Sequence, residues 1–500
     1  MAKTEAEFLA AFAQHQTAYN ALINAVNGKS GLMQTTKGGI DVVVENYRQI
    51  VLRAEALLAS GGTGGTGGGG TTPTPSTTLA LIKSAISAAP QNYASIPTEN
   101  TITVIQGAPN ELPVYPGGAT PVLHYFTPPA NNAAFKGPSG SPDILTVTKA
   151  AAPETFSFAY GGDSRWSQSN GANVLARMWA QEIGAHVVGF TVNGRYFSYM
   201  GRFQGTNATI TINGMLQPAI PVTSDDTWTT IDMGSRATRN IVFNGGQNEF
   251  GGIAIPTGDT IVPFDHMAGK FRYNALHDSW GQQRDYEKFN LRLPDIYAKL
   301  IGAHSVGGYV RGGTGYLQGV DITTSQGLAD DNQRKIDLNA GAPHMVDLRM
   351  MVNDPDPSGN ADLQPAVRRV FERTRTDNPT ALFAVGAWTS QGSRSTVTGG
   401  ETRKRDLYKA EWDRITGPKV FIDGLAGTWY IDAGTGAGVK TRATTLGPII
   451  TGEGSAASPT GTGNADLYID NNGGRHPTSK GVVYIDDWFA ARLREALAVV

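Results

Sequence analysis

From about residue 271 to residue 500 the chain alternates short apolar runs with longer amphipathic ones. The apolar runs predict buried strands and the amphipathic runs predict helices. The strand segments are FRYNAL, HMVDLRMMV, ALFAVGAW and KVFIDGL, and the helical segments are LPDIYAKLIGA, ADLQPAVRRVFERT and VVYIDDWFAARLREALAVV. This alternation predicts an α/β domain over 269–500, with a parallel sheet covered by helices. In such sheets the active site lies at the carboxyl ends of the strands.

Polar residues that can carry acyl-transfer chemistry stand at the ends of these segments. Ser279 follows FRYNAL, Gly313 follows the next strand along the chain, which lies before residue 312, and Asn353 follows HMVDLRMMV. His476 stands just before the last helix, and an imidazole can take the proton of a serine hydroxyl near neutral pH. The N–H groups of Ser279 and Gly313 and the side-chain amide of Asn353 are suitable donors for an oxyanion. We therefore predict a serine hydrolase with Ser279 as nucleophile and His476 as base.

This ordered set resembles the SGNH hydrolases, also called GDSL-like esterases, whose sequence blocks supply Ser, Gly, Asn and His in that order. The segments GGTGYL and NADLYIDNNGGRHPTSKG are similar to the second and last blocks of that family. The resemblance covers about 270–500. It implies a three-layer α/β hydrolase domain, an oxyanion hole formed by Ser279, Gly313 and Asn353, and catalysis without a cofactor or a metal. The remaining histidines show no metal-ligand spacing of the HExxH type.

Three positions depart from the pattern of the family. His277 replaces the glycine that usually precedes the Asp-Ser pair, and Met351 replaces the glycine before the Asn-Asp pair. Gly473 stands where an aspartate usually precedes the catalytic histidine by three residues. The usual third member of the triad is therefore missing from its place.

Several groups could orient the imidazole of His476 instead. Asp470 lies six residues before His476 and is the candidate third member of the triad. Asn472 or a main-chain carbonyl could take the same role. Without any of them the site would be a Ser-His dyad of lower activity, because the carboxylate fixes the tautomer and stabilises the imidazolium.

A second serine, Ser164, lies in a sequence that matches the first block of the family more closely. Gly162-Asp163-Ser164 matches it better than His277-Asp278-Ser279 does. However, the sequence after Ser164 predicts alternating β-strands, and no glycine-rich block follows. GGTGYL follows Ser279 after about one strand–helix–strand unit, on the order of 30 residues. We therefore interpret Ser164 as a loop serine at the edge of a β-rich region.

Three aromatic residues near strand ends are candidates for the substrate pocket, with core packing as the alternative. These are Trp280, Tyr316 and Trp388. The preceding region, 151–268, predicts a β-sandwich of the jelly-roll type, with one helix at 172–185. Its segments RFQGTNATITING and FGGIAIPTGDT resemble the module that precedes the hydrolase domain in carbohydrate esterases. That resemblance implies an acyl ester, most often O-acetyl, on a polysaccharide as the substrate.

The amino-terminal third has a different organisation. Residues 1–59 predict two short helices with heptad-like spacing, which could pack as a hairpin or serve attachment and oligomerisation. Residues 60–78 are a Gly/Thr/Pro linker, and 79–150 read as an irregular, partly β connecting region. The chain has no cysteine, so disulfides and Cys-ligated zinc are excluded. It shows no export signal and no apolar run that could span a membrane.

Together these features suggest a phage tail fibre or tailspike that acts at the host cell surface. We expect a homotrimer whose amino-terminal region binds other tail proteins and whose partner is a bacterial surface polysaccharide. The net charge of −2 gives no reason to expect nucleic acid or an anionic membrane as a partner, and without a long apolar run we expect no membrane insertion. Two alternatives stay open: a receptor-binding fibre whose hydrolase fold has lost activity, and a bacterial esterase that acts on lipid or peptidoglycan.

Overall fold

The structure is a computed structural model that describes most of the chain after residue 73. It describes residues 74–109, 112–124, 157–160, 164–167, 177–180, 186–202, 207–220, 227–244, 249–264, 271–282, 289, 291, 293–310, 313–317, 343–350, 352–387, 399–470 and 476–500. The helices predicted within 1–59 lie outside the described residues. The segment Pro73–Val500 forms one compact unit.

The first described helix, α1 (Pro75–Ala88), belongs to the core of the carboxyl-terminal domain. Thr74 caps it, and a proline in its first turn suits that position. Leu79, Ile82 and Ile86 form its buried face and pack in the same apolar cluster as the strands after residue 271. The prediction of a linker up to residue 78 is therefore corrected, because helix α1 begins within it.

A β lobe follows, made of eleven strands among the described residues. They are β1 (Thr103–Pro109), β2 (Pro121–His124), β3 (Ser157–Tyr160), β4 (Ser164–Ser167), β5 (Arg177–Ala180), β6 (His186–Arg202), β7 (Thr209–Ile212), β8 (Met215–Leu216), β9 (Thr227–Asn244), β10 (Glu249–Pro256) and β11 (Thr260–Pro263). Strands β1 and β2 pair with β9 and β10. Two strands from the region predicted to be a connection, 79–150, are thus part of the β lobe.

Two long strands, β6 and β9, pair antiparallel along most of their length. The other strands pair with different parts of them and so form two halves of the lobe. The amino half of β6 also pairs with β3 and β11, and its carboxyl half pairs with β10. Rings from the two halves meet: Phe190 packs on Phe197 with ring centroids 5.4 Å apart, and Tyr199 packs on Phe243 at 4.7 Å. The sheet therefore folds over on an apolar core, as the predicted sandwich requires.

The helix predicted at 172–185 is wrong. Arg177–Ala180 is strand β5, which pairs with β4 and β10. The backbone pairing available at the edge of the β lobe outweighs the local helical pattern of ANVLARMWAQEIGA, since strand formation depends strongly on tertiary context.

The carboxyl-terminal domain is built from alternating strands and helices. Its strands are β12 (Arg272–His277), β13 (His304–Val310), β14 (Met345–Arg349), β15 (Leu382–Ala387), β16 (Lys419–Asp423), β17 (Thr428–Asp432) and β18 (Lys440–Thr441). Its helices are α2 (Ser279–Gln282), α3 (Leu293–Leu300), α4 (Leu363–Asp377), α5 (Gly399–Arg414), α6 (Ala465–Tyr468) and α7 (Ser479–Ala498), and 357–359 form a 3₁₀ turn.

The sheet order is β13-β12-β14-β15-β16-β17-β18. The first five strands are parallel, as predicted, and β17 and β18 add an antiparallel edge. Every residue of β14, β15 and β16 is buried, which requires cover on both faces. Helix α7 contacts α1 and α3, and helix α4 contacts α5. The described helices thus cover the sheet in two groups, and the α/β prediction is confirmed.

The β lobe and the α/β domain share packing. Leu216 of β8 belongs to the apolar core of the α/β domain. The Thr209 hydroxyl donates a buried hydrogen bond of 2.7 Å to the carbonyl of Phe289, and β3 contacts the edge strand β13. The helices in the described part of the chain include none that is long and apolar enough to cross a lipid bilayer.

Candidate active site

The predicted site residues stand where the topology places a ligand crevice. Numbered along the chain, the parallel strands have the order 2-1-3-4-5, in which ligands bind beyond the carboxyl ends of the first and third strands. Ser279 opens helix α2 directly after the first strand, β12. Asn353 follows the third strand, β14. Both residues are partly exposed, so a substrate can reach them.

Asp278 fixes the turn that presents Ser279. Its side chain is fully buried. One carboxylate oxygen accepts the N–H of Trp280 at 3.0 Å, and the other accepts the N–H of Val352 at 3.3 Å. The carboxylate therefore ties the serine turn to the loop that carries Asn353.

The glycine block and the asparagine loop are also joined. The Asn353 side-chain amide donates to the carbonyl of Thr314 at 3.0 Å. An amide nitrogen has two hydrogens, so one fixes the orientation of the group while the second can serve an oxyanion. Gly313 has φ +71°, a left-handed conformation that glycine adopts without strain. The predicted oxyanion donors Gly313 and Asn353 thus belong to one hydrogen-bonded loop pair.

Asp354 holds this loop pair in place, a role that the sequence alone did not indicate. Its buried carboxylate accepts the N–H groups of Tyr316 and Leu317 at 3.0 and 2.9 Å and the hydroxyl of Tyr408 at 2.7 Å. A Cβ at Gly315 would overlap this carboxylate. The Asn-Asp pair was a visible signal, but Tyr408 lies on α5, a helix that the sequence did not predict.

The direction of helix α7 places His476 at the same edge of the sheet. Asp486 lies beside Arg349, the last residue of β14. Farther along the helix, Arg494 donates to the carbonyl of Leu300, which precedes the start of β13. The helix therefore runs from the carboxyl edge towards the amino edge, and His476, three residues before its start, lies at the carboxyl edge with Ser279 and Asn353.

Asp470 stands beside His476 through the backbone. Its N–H donates to the carbonyl of His476 at 2.9 Å, and Ile469 forms an antiparallel bridge with Pro477. Residues 471–475, which include Asn472 and Gly473, lie outside the described residues. The backbones of Asp470 and His476 are therefore adjacent, and the role of the Asp470 side chain stays a prediction.

The predicted pocket aromatics are corrected. Trp280 and Tyr316 are both 0% exposed, and the Tyr316 ring packs on Phe371 and Tyr408 with centroids 5.5 and 5.0 Å away. Both side chains point into the core because the loops that carry them are pinned by Asp278 and Asp354. Neither can contact a substrate in this structure. Trp388 lies outside the described residues.

Ser164 lies in another part of the molecule. It begins β4, which pairs with β5 at one end of the main strand order of the β lobe. The loop interpretation is therefore corrected to an edge strand. Ser164 has no place at the carboxyl edge of the parallel sheet, where Ser279 lies.

The described residues thus define an α/β domain with serine, glycine, asparagine and histidine at the carboxyl edge of a parallel sheet. No family model matches the chain, and no curated protein matches it.

Solved structures with a similar chain path include one acyltransferase and two carbohydrate esterases. Salicylyl-acyltransferase SsfX3 from a tetracycline biosynthetic pathway is 11% identical, with 63% of this chain and 83% of that chain covered and a TM-score of 0.43. A family two carbohydrate esterase plus carbohydrate-binding domain from Corynascus thermopiles (Myceliophthora fergusii) is 16% identical, with 68% and 100% covered and a TM-score of 0.43. An active-site mutant of a family two carbohydrate esterase from Clostridium thermocellum is 12% identical, with 69% and 99% covered and a TM-score of 0.44. Likeness at this level decides neither family nor function.

Proposed function

We propose that residues 269–500 form a serine esterase of the SGNH class. The observation that carries this proposal is the joined loop pair at the carboxyl edge, where the Asn353 amide is held by the Thr314 carbonyl at 3.0 Å. The turn that bears Ser279 is tied to the same loop through Asp278 and Val352. Such a fixed set of donors beside a serine is what acyl transfer needs, because preorganised donors stabilise the developing oxyanion.

The reaction would proceed in two acyl-transfer steps. The Ser279 hydroxyl attacks the ester carbonyl and gives its proton to His476. The oxyanion of the tetrahedral intermediate accepts hydrogen bonds from the N–H groups of Ser279 and Gly313 and from the Asn353 amide. His476 returns the proton to the leaving alcohol oxygen, and a water molecule then releases the acyl group from Ser279 by the same route. Asp470 is proposed to orient the imidazole.

We further propose that the substrate is an O-acyl, most often O-acetyl, group on a bacterial surface polysaccharide. The resemblance of the β-lobe segments to the companion module of carbohydrate esterases supports this. The packing of Leu216 from the β lobe into the α/β core also supports it, because a polymer could then contact both parts at once. The proposed setting is a phage tail fibre or tailspike whose amino-terminal region binds other tail proteins.

Acetate release tests this proposal. The whole protein is incubated with p-nitrophenyl acetate and with an O-acetylated capsular polysaccharide, beside Ser279→Ala and Ser164→Ala. We expect release by the unmodified protein and by Ser164→Ala, and a loss of about 10⁴-fold or more in Ser279→Ala. If the unmodified protein releases no more acetate than Ser279→Ala, the esterase proposal fails and the inactive receptor-binding fibre is favoured. Release only from long-chain esters would instead favour a lipid esterase.

A further inference from the structure

A cluster of buried charged side chains lies beneath the candidate site. Asp347 and Arg349 of β14 and Asp486 of α7 are each at most 2% exposed. Nη2 of Arg349 lies 2.7 Å from Oδ2 of Asp347, and Nη1 lies 3.6 Å from Oδ1 of Asp486. The guanidinium carbon stands 4.0 Å from the ring centroid of Tyr297 and 4.2 Å from that of Phe489. Arg349 is therefore held between two rings and two carboxyl groups.

The strand register explains why this cluster forms on one face. In the parallel pair of β12 and β14, Ala275 is opposite Asp347 and His277 is opposite Arg349. Alternate residues of a strand share a face, so His277, Asp347 and Arg349 all point to the side covered by α7. Nε2 of His277 lies 3.4 Å from Oδ2 of Asp347. The histidine that replaces the usual glycine of the family is thus a member of the cluster.

Each member belongs to a segment that carries a group of the proposed reaction. His277 precedes Ser279 by two residues, and Arg349 precedes Asn353 by four. The carbonyl of Arg349 also accepts the N–H of Asp278, at 3.4 Å. Asp486 lies on the helix that begins three residues after His476. The cluster therefore links the segments that carry Ser279, Asn353 and His476, on the face of the sheet that α7 covers.

The charges in the cluster compensate one another. Burial alone would raise the pKa of Asp347, but Arg349 and the hydrogen bond with His277 hold that pKa below its usual range. Burial raises the pKa of Asp486 well above its usual range despite the neighbouring Arg349. Arg349 thus stands between the carboxylate of Asp347 and a second buried carboxyl group, Asp486, whose charged form burial disfavours. Buried ion pairs often contribute little stability relative to apolar side chains, so a purely stabilising role does not account for the cluster.

We propose that Arg349 is a positioning residue for the esterase reaction, locking the strand ends that bear Ser279 and Asn353 to the helix that carries His476. This rests on the proposed function above. Arg349 touches neither substrate nor the reacting atoms and acts through the segments that it holds. Removing its guanidinium would let the serine turn and the histidine-bearing helix shift relative to each other, and a displacement of about 1 Å can lower a rate about 100-fold.

The test compares Arg349→Met with a matched control, Arg375→Met, and with Arg349→Lys. Arg375 is partly buried and donates to the carbonyls of Ala381 and Pro418 at 2.8 and 2.7 Å, at the opposite edge of the sheet. With p-nitrophenyl acetate, we expect kcat of Arg349→Met to fall about 100-fold with KM within about 3-fold. Arg349→Lys should recover part of the loss. Arg375→Met should lower the Tm but keep kcat within about 3-fold. Equal kcat losses in both methionine variants would overturn the proposal.

Hydrogen exchange gives a second measurement that does not depend on activity. In Arg349→Met, the amides of 279–282, 352–354 and 479–482 should exchange faster together, whereas Arg375→Met should affect 378–382. If the unmodified protein is inactive but the three segments respond together, the proposed function fails and the locking role stands. If the protein is active and the three segments exchange alike in both variants, the locking role fails. Should Arg349→Met not fold, Arg349→Lys is compared with Arg375→Met instead, with a smaller loss of kcat and a smaller rise in exchange expected in the same three segments.

Discussion

Asp354 offers a sharp perturbation of the loop pair that carries the proposed oxyanion hole. Its carboxylate accepts three hydrogen bonds of 2.7–3.0 Å, from two backbone N–H groups and from the Tyr408 hydroxyl. In Asp354→Ala these donors lose their acceptor, at a cost of about 1–3 kcal/mol for each that stays buried. Since the loop can relax and admit water, we expect a total loss of about 4 kcal/mol in the free energy of unfolding.

The effect on activity follows from the same contacts. Without Asp354 the turn at 313–317 is no longer tied to the asparagine loop, so at least one oxyanion donor is displaced. Loss of one such donor costs about 10²–10³ in kcat. We therefore expect kcat for p-nitrophenyl acetate to fall by about that factor, with KM nearly unchanged.

Two controls separate positioning from loss of stability. Tyr408→Phe removes one of the three hydrogen bonds and should cost about 1 kcal/mol, with a small change in kcat. Asp356 lies in the same loop as Asp354, and its partly exposed carboxylate pairs with Arg403 of helix α5. Asp356→Asn should leave kcat unchanged. Urea unfolding and steady-state kinetics are measured on all variants. If Asp354→Ala is destabilised but has the kcat of the unmodified protein per folded molecule, the reasoning is refuted.

Three further predictions address the triad, pH and assembly. Asp470→Asn should lower kcat by about 10²–10⁴, whereas Asn472→Ala should not; the reverse pattern in steady-state kinetics would reassign the role. Burial and the nearby Arg272 lower the pKa of His344 to about 4, so its contribution to stability is present above about pH 6.5 and is lost as pH falls towards 4. Between pH 7 and pH 4.5, the free energy of unfolding of His344→Asn, measured with urea, should therefore fall by about 1–2 kcal/mol less than that of the unmodified protein, after allowance for solvent screening. Equal losses in the two proteins would contradict this prediction. The whole protein should have the mass of a trimer, and a protein truncated to start at residue 73 should have that of a monomer. If both proteins are monomeric, the two predicted amino-terminal helices do not drive trimer formation and would pack as a hairpin.

The sequence was most informative where burial imposes a pattern. The apolar runs predicted β12, β14, β15 and β16 because strands covered on both faces are mostly apolar. The order of polar residues after those runs then located Ser279 and Asn353 at one edge of the sheet. Alternation of strand and helix was therefore enough to place part of the candidate site.

Features that depend on tertiary contacts could not be predicted from the sequence. Helix α5 is rich in charged residues, and its buried positions include Lys404 and Glu411, so it shows no apolar stripe. The strand at 177–180 is formed by pairing at a sheet edge, which local propensity does not reveal. Trp280 and Tyr316 follow strand ends, but hydrogen bonds to two buried aspartates turn both side chains inward. No periodicity signals such contacts.

The nucleophile is the central claim, and covalent trapping tests it most directly. The whole protein is treated with diisopropyl fluorophosphate, and the modified peptide is identified by mass spectrometry in the unmodified protein, Ser164→Ala, Ser279→Ala and His476→Ala. We predict a single adduct on Ser279 in the first two proteins, none in Ser279→Ala, and strongly slowed labelling in His476→Ala, because the base activates the serine. An adduct on a different serine, or equal labelling of all four proteins, would contradict the assignment of Ser279 and His476.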